Sequence, residues 1–171
     1  GKDTLTAVSA EDGKLLWEGY HPPSGYRSPE DLLVVDGLVW TGETTSGRAT
    51  GVFTGRDPKT GEVKREFPPD VNVYWFHHRC YRGKATDNFL LMSRTGIEFI
   101  DVRKKTWNPN HWVRGACGYG VMPANGLVYS PQNPCACYLE TRMTGFNALA
   151  PAPKAPRIAK SSAKDIRLEK G

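Results

Sequence analysis

Four cysteines and two adjacent histidines are the residues of this sequence best suited to chemistry. They fall between positions 77 and 137 of the 171-residue chain: His77, His78, Cys80, Cys117, Cys135 and Cys137. Sulfur and imidazole nitrogen in this mixture suit three kinds of site, which are disulfide bridges, a metal centre and an activated thiol. These three hypotheses predict different redox compartments.

Two disulfides are the first hypothesis, because an even number of cysteines in an exported protein usually forms bridges. A bridge between Cys135 and Cys137 would close a tight, strained ring, since one residue separates them. We therefore expect these two cysteines to pair with Cys80 and Cys117. Such bridges would tie long loops together on one face and would imply a periplasmic or extracellular protein.

A metal site is the second hypothesis, because thiolates and imidazole together suit Zn or Cu(I). Its ligands would be Cys135, Cys137, either Cys80 or Cys117, and either His77 or His78. The CxC spacing is weaker evidence than paired CxxC motifs. The third hypothesis is a catalytic thiol with His77, His78 or His111 as its base, although four cysteines fit a single activated thiol poorly.

Weaker candidates for ligand binding surround the cysteines. Trp75 could stack on a ligand, and Arg79 and Arg114 could bind a carboxylate or a sugar acid. The alternative places the aromatic residue in the core and the arginines on a solvated rim. The sequence contains no GxGxxG, P-loop, HExxH or GxSxG motif, and we assign no catalytic residue.

The net charge of +5 is concentrated at the end of the sequence. From Ala152 to Gly171 there are six bases and two acids, so the preceding part of the chain is nearly neutral. A near-neutral body gives no electrostatic reason to expect a nucleic-acid partner. No run of 18 apolar residues is present, so we expect no membrane span.

A hairpin pattern recurs along the sequence. Its copies read LTAVSAEDGKLLW from residue 5, VFTGRDPKTGEVKREF from residue 52, IEFIDVRKKTW from residue 97 and FNALAP from residue 146. Aligned on the residue that closes the first strand, they place Ser9, Asp57, Asp101 and Ala150 at intervals of 44 to 49 residues. That period matches a four-stranded propeller blade.

A second element lies between the hairpins and reads VDGLVW, DNFLLM and ANGLVY, starting at residues 35, 87 and 124. A turn followed by three or four apolar residues is typical of an inner strand buried on both faces. The sequence therefore predicts an all-β fold, a partial β-propeller of about three to four four-stranded blades over residues 1–150. A β-sandwich with accidental spacing is the alternative. Residues 151–171, rich in Pro, Ala and Lys, are predicted to form a linker or tail.

The segments LTAVSAEDGKLLWE and GRDPKTGEVKREF resemble the quinoprotein-like, or pyrroloquinoline-quinone, repeat of the BamB-like β-propellers. Propellers of that type close with about seven or eight blades. The resemblance therefore implies that the chain needs further blades, from the same polypeptide or from another protein segment. It does not imply the quinone cofactor, because the adjacent cysteine pair of the quinoprotein dehydrogenases is absent, and so is a CxxCH haem site.

Together these features predict a non-catalytic propeller segment of a larger exported bacterial protein. It would serve as a scaffold or binding platform with a disulfide-crosslinked, cysteine-rich face and no assigned cofactor. The alternative is a redox or metal-dependent enzyme segment that uses the cluster of His77, His78 and the four cysteines.

Overall fold

The computed structural model describes residues 3–22, 32–42, 52–68, 81–93, 96–132 and 143–152, and in these ranges the secondary structure is entirely β. The strands are β1 (Thr4–Val8), β2 (Leu15–Tyr20), β3 (Leu33–Val35), β4 (Leu38–Gly42), β5 (Phe53–Arg56), β6 (Val63–Phe67), β7 (Lys84–Ala85), β8 (Phe89–Ser93), β9 (Ile97–Asp101), β10 (Thr106–Asn110), β11 (Met122–Ala124), β12 (Leu127–Ser130) and β13 (Asn147–Leu149).

These strands form four antiparallel sheets, here called blades 1 to 4: β1–β2, β3–β6, β7–β10 and β11–β13. Within each blade, strands that are consecutive in sequence are neighbours in the sheet. The inner strands of successive blades touch, since β3 contacts β7 and β8, and β7 contacts β11. The chain is thus a partial β-propeller, as the repeat predicted.

Two apolar cores lie between the blades. The core between blades 2 and 3 is built from Val35, Trp40, Phe53, Leu90, Met92, Ile100 and Val102. The core between blades 3 and 4 is built from Leu91, Ile97, Val113 and Val121, with Val128 and Leu149 packed against it. Alternate residues of β8 thus point to opposite neighbours. This confirms the prediction that the DNFLLM segment forms a strand buried on both faces.

The sequence patterns predicted the second strand of each blade but not the short first strand that pairs with it. β3, β7 and β11 are only two or three residues long and precede the turn that we predicted. In blade 2 that turn has Asp36 and Gly37 at φ of 52° and 72°, and in blade 4 Asn125 and Gly126 lie at 52° and 73°. Two successive positive φ values are typical of a type I′ turn, for which Asp-Gly and Asn-Gly are the favoured pairs.

The hairpin that ends a blade has the same turn in three blades, between β1 and β2, between β5 and β6, and between β9 and β10. The side-chain oxygens of Ser9, Asp57 and Asp101 each accept hydrogen bonds from the backbone N–H groups two and three residues later, at 2.8 to 3.4 Å. This bonding explains why a small polar or acidic residue closes the strand. Ala150, at the fourth aligned position, has no side-chain oxygen that could accept such hydrogen bonds.

The residue four positions later has a positive φ in each of these turns. Gly13 and Gly61 lie at 72° and 73°, and Lys105 lies at 54°. The third turn, which has Lys105 in place of glycine, therefore has the same backbone conformation as the two glycine turns. This conformation is strained for Lys105, because a residue with a Cβ atom rarely adopts a positive φ.

Trp17 connects blade 1 to blade 2. Its indole N–H donates to the carbonyl oxygen of Pro58 at 2.9 Å. A Cβ atom added to Gly61 would lie 2.7 Å from the nearest atom of the Trp17 ring. The glycine of one turn thus makes room for the aromatic residue of the preceding blade.

Trp107, which ends the third copy of the hairpin pattern as Trp17 ends the first, lies on the other face of its sheet. Trp17 pairs with Ala7, two residues before Ser9, whereas Trp107 pairs with Ile100, one residue before Asp101. A shift of one residue reverses the direction of a side chain in a strand. Trp107 accordingly packs against Phe53 of the preceding blade, with ring centroids 5.7 Å apart.

Candidate functional site

The two edges of the sheets differ in their connections. At one edge, here called the turn edge, short turns join the first strand to the second and the third to the fourth. At the opposite edge, the loop edge, lie the connections from the second strand to the third and from each blade to the next, and most of them are longer; the exception is residues 94–96, between β8 and β9. The longer segments include residues 43–52, 68–83, 111–121 and 131–146.

Each candidate cysteine and histidine falls in a segment that leaves and rejoins the sheets at the loop edge. The 68–83 segment carries His77, His78 and Cys80, the 111–121 segment carries Cys117, and the 131–146 segment carries Cys135 and Cys137. Trp75 and Arg79 belong to the first of these segments. Of the predicted site residues, the structure describes Arg114, Cys117 and the candidate base His111, which is exposed; the others, Trp75, His77, His78, Arg79, Cys80, Cys135 and Cys137, lie outside the described residues.

Residues 115–120, here called the glycine loop, form a tight structure at the loop edge. The N–H groups of Tyr119 and Gly120 both donate to the carbonyl oxygen of Ala116, at 3.0 and 2.7 Å. Gly118 forms a parallel bridge with Tyr81. The loop is therefore attached by backbone contact to the residue that directly follows Cys80 in the sequence.

Glycine is required in this loop for reasons of space and of backbone angle. A Cβ atom on Gly120 would lie 2.8 Å from the ring of Tyr81, and its φ is 80°. A Cβ atom on Gly115 would lie 2.6 Å from the backbone of Gly120. Tyr81 itself is fully buried and donates its hydroxyl hydrogen to the carbonyl oxygen of Gly96 at 3.0 Å. The loop and Tyr81 thus fix each other's position.

Cys117 is exposed on the glycine loop, immediately before the residue bridged to Tyr81. Its neighbour Tyr119 is exposed as well, at 83%. Cys117 thus lies at the surface of a loop that is bridged to the residue after Cys80. The disulfide hypothesis remains a prediction, since its other cysteines lie outside the described residues.

Arg114 lies just before this loop and is 3% exposed. Its carbonyl oxygen accepts a hydrogen bond from the hydroxyl of Ser130 in β12 at 2.8 Å. The solvated-rim alternative is therefore wrong for Arg114, whose side chain is buried. Its role in binding an anionic ligand stays a prediction.

Metal ligation is not visible in the part of the chain that the structure describes. Those residues include no group of three or more His, Cys, Asp or Glu side chains placed to hold an ion. The remaining ligands of the metal hypothesis, on residues 77–80 and 135–137, lie outside that part. Among the same described residues, no helix has the length and apolar character that a membrane crossing requires.

A charged cluster at the turn edge was not predicted. Asp36 accepts from Arg65 of its own blade at 2.6 Å and from Arg103 of blade 3 at 3.0 Å. The Arg65 hydrogen bond is the largest cause that lowers the pKa of Asp36, followed by the hydrogen bond from Arg103, while desolvation opposes them. The cluster joins two blades, and the separation of its members in sequence left no local signal.

An apolar groove on the outer face of blade 4 was also missed. It has a volume of about 490 Å³ and is lined in part by Tyr119, Met122, Tyr129, Pro131 and Phe146, with Lys84 at its margin. The rings of Tyr129 and Phe146 lie 6.0 Å apart. In the sequence these apolar residues are indistinguishable from core residues, whereas among the described residues no further sheet covers the face that they occupy.

No family model matches the chain, and no curated protein matches it. Among solved structures, BamB from Moraxella catarrhalis is similar, with a TM-score of 0.48 and 14% sequence identity. The match covers 75% of this chain and 37% of the BamB chain, so this chain spans little more than a third of that protein's length.

Proposed function

We propose that the chain is a non-catalytic scaffold or binding segment of a larger exported bacterial protein, with disulfides crosslinking its loop edge. The observation that carries the proposal is topological. Every segment that contains a cysteine leaves and rejoins the sheets at the same edge, although the cysteines are up to 57 positions apart in the sequence.

The described polar groups at the loop edge support a structural role. The hydroxyls of Tyr81, Ser93 and Ser130 all donate to backbone carbonyl oxygens, at 3.0, 3.5 and 2.8 Å. These bonds hold the connecting segments against the blades. A rigid edge that displays Cys117 and Tyr119 is a platform on which a partner could bind.

Disulfides at this edge would act chiefly on the unfolded chain. Each bridge would close a long loop and so reduce the conformational entropy of the unfolded state, typically worth about 2 to 4 kcal/mol. Bridges of this kind persist in oxidising compartments, which is the basis for proposing a periplasmic or extracellular location. The remaining blades of the propeller, from the same polypeptide or from another segment, are the proposed partners.

Thiol titration of the unreduced protein in denaturant tests the proposal. We expect no free thiol before reduction and four after it, since the sequence contains four cysteines. The reduced sample is the control for reagent access. Four free thiols before reduction would refute the crosslinked scaffold.

Elemental analysis tests the enzymatic alternative on the same sample. A stoichiometric metal ion, bound by protein whose thiols titrate only after chelation, would favour the metal-dependent segment. Absence of bound metal together with complete bridges is the outcome expected for a scaffold.

A further inference from the structure

The outer edge of β13 has no neighbouring strand in the part of the chain that the structure describes. Blades 2 and 3 contain four strands each, whereas the described part of blade 4 ends at its third strand, β13. In the first three blades, β1, β5 and β9 each pair with a last strand, which is β2, β6 or β10. The open edge of a sheet presents unpaired backbone N–H and C=O groups, to which another strand can add. The edge of β13 is therefore available for strand addition.

The turn that leads into the last strand of the other blades is not encoded after β13. It begins at the residue that closes the first strand of the hairpin, here called the closing residue: Ser9, Asp57, Asp101 and, by alignment, Ala150. The turn needs a side-chain oxygen at this residue and a backbone N–H three residues later. Blade 4 has Ala150 and Pro153 at these positions, and proline has no N–H. A last strand of blade 4 therefore requires a different connection.

The residues that follow β13 also differ where a last strand would begin. In the other blades an apolar residue lies six positions after the closing residue and pairs with the residue just before it: Leu15 with Val8, Val63 with Arg56 and Trp107 with Ile100. Blade 4 has Pro156 at this position. Proline is rare inside a strand, because it cannot donate to the ladder. The last strand of blade 4 is therefore expected further along the chain or from another segment.

A motif shared by β2 and β6 recurs at residue 166. It is an apolar residue followed three positions later by glutamate, and it reads LLWE from residue 15, VKRE from residue 63 and IRLE from residue 166. In β2 and β6 the motif pairs with the preceding strand in the same way. Its second residue is skipped as a bulge, its third pairs with the residue two positions before the closing residue, and its glutamate pairs with a threonine. Glu169 is the one glutamate in residues 151–171, so the motif occurs once there.

The glutamate of this motif accepts a hydrogen bond across the ladder. In blade 1 the Thr6 hydroxyl donates to Glu18 at 3.4 Å, and in blade 2 the Thr54 hydroxyl donates to Glu66 at 3.3 Å. Both threonines lie three residues before the closing residue, and the corresponding residue of β13 is Asn147. The amide of Asn147 has two N–H groups, and one hydrogen bond to a nearby backbone carbonyl oxygen, at 3.1 Å, uses one of them. Asn147 thus has a second N–H with which to bind a glutamate on a last strand.

Leu149 supplies the apolar part of the same register. It lies just before the closing residue and packs against the core between blades 3 and 4. Its counterpart in blade 3, Ile100, is 0% exposed and pairs on its outer side with Trp107. Leu149, in contrast, is half-buried. An apolar residue on its outer side, such as Ile166, would extend this core.

We propose that residues 166–169 add to β13 as the last strand of blade 4. The register of β2 and β6 gives the pairs Ile166 with Leu149, Leu168 with Ala148 and Glu169 with Asn147, and it makes Arg167 the bulge. Residues 151–165 then form a loop fixed at both ends on the turn edge, since closing a long loop costs little more entropy than closing a short one. This loop carries four basic residues and one acidic residue. The inference goes beyond the scaffold role proposed above and involves no cysteine.

Nuclear magnetic resonance of the full chain in solution tests this register directly. We expect nuclear Overhauser contacts between backbone protons of Ala148 and Leu168. We also expect the amides of residues 166–169 to exchange at least about tenfold more slowly than in the unfolded chain. Unprotected amides in this segment would overturn the inference. Contacts from the outer edge of β13 to any other strand would overturn it as well.

Two lysine substitutions give a matched comparison. Ile166→Lys places a charge beside Leu149, so it should lower the Tm by about 2 to 4 °C and speed amide exchange in β13. Ile158→Lys, the control, lies in the proposed loop and should leave both unchanged. Equal effects of the two variants, or no effect of either, would contradict the strand. Thiol titration is independent of these outcomes, so the scaffold proposal and this inference can fail separately.

Discussion

Replacement of Gly61 by alanine tests how Trp17 docks on the next blade. Gly61 has a φ of 73°, and a Cβ atom there would lie 2.7 to 3.0 Å from three atoms of the Trp17 ring. Gly13, at the same position of the preceding turn, has a φ of 72° with no atom within 4 Å of its Cβ position. The two glycines therefore differ in packing and not in backbone conformation.

The expected magnitudes follow from this difference. Alanine at a left-handed φ costs about 1 to 2 kcal/mol, and this is the whole expected effect of Gly13→Ala. Gly61→Ala adds a steric term of about 1 to 3 kcal/mol, since the ring is held in place by its hydrogen bond to Pro58. Each kcal/mol should lower the Tm of a domain of this size by about 2 to 4 °C.

Thermal and urea unfolding of both variants, alone and combined with Trp17→Ala, give the comparison. In the Trp17→Ala background the excess cost of Gly61→Ala should disappear, because the ring that causes the clash is gone. Equal destabilisation by Gly61→Ala and Gly13→Ala in the wild-type background would show that Trp17 does not occupy this position.

Two further predictions concern the turns. Lys105→Gly should raise stability by about 1 kcal/mol in urea unfolding, because glycine adopts the 54° φ of Lys105 without strain; Lys104→Gly is the control, and a gain there would contradict the argument. Asp36→Asn tests the ion pair with Arg65, which helps to hold the pKa of Asp36 below its ordinary value. A lowered folded-state pKa contributes stability that is present above the unfolded pKa and lost as pH falls through the folded one. The difference in Tm between wild type and D36N should therefore be constant from about pH 5 to 8 and shrink below about pH 4, and a difference that persists unchanged in acid would exclude the ion pair as its source.

The turns of this fold were predictable because single residue types encode them. Asp36-Gly37 and Asn125-Gly126 predict the hairpin turns in which they lie. The side-chain oxygen of Asp57 accepts the hydrogen bonds that form the turn between β5 and β6. The period of these signals was sufficient to identify the propeller. The first strands were not predictable, since β7 consists of two residues and carries no periodicity.

The facing of side chains and the candidate site were harder to predict. Trp107 and Trp17 end equivalent hairpins but point to opposite faces of their sheets, because a one-residue change in strand pairing reverses a side chain and is invisible in the sequence. The sequence located the cysteines in one region, yet only the strand order shows that their connecting segments share an edge. The groove around Phe146 could not be predicted from the sequence, because the same apolar residue types occur on exposed and on buried sheet faces.

Blade 3 alone among the described sheets has apolar packing on both of its faces, through Leu90 and Met92 on one side and Leu91 on the other. Because every sheet pairs strands that are adjacent in sequence, each can open and reform by itself, and neighbouring blades supply the rest of its stability. Amide hydrogen exchange should consequently be slowest in β8 and β9 and become faster toward both ends of the stack. We therefore expect blade 3 to fold first and the neighbouring blades to fold onto it one after another.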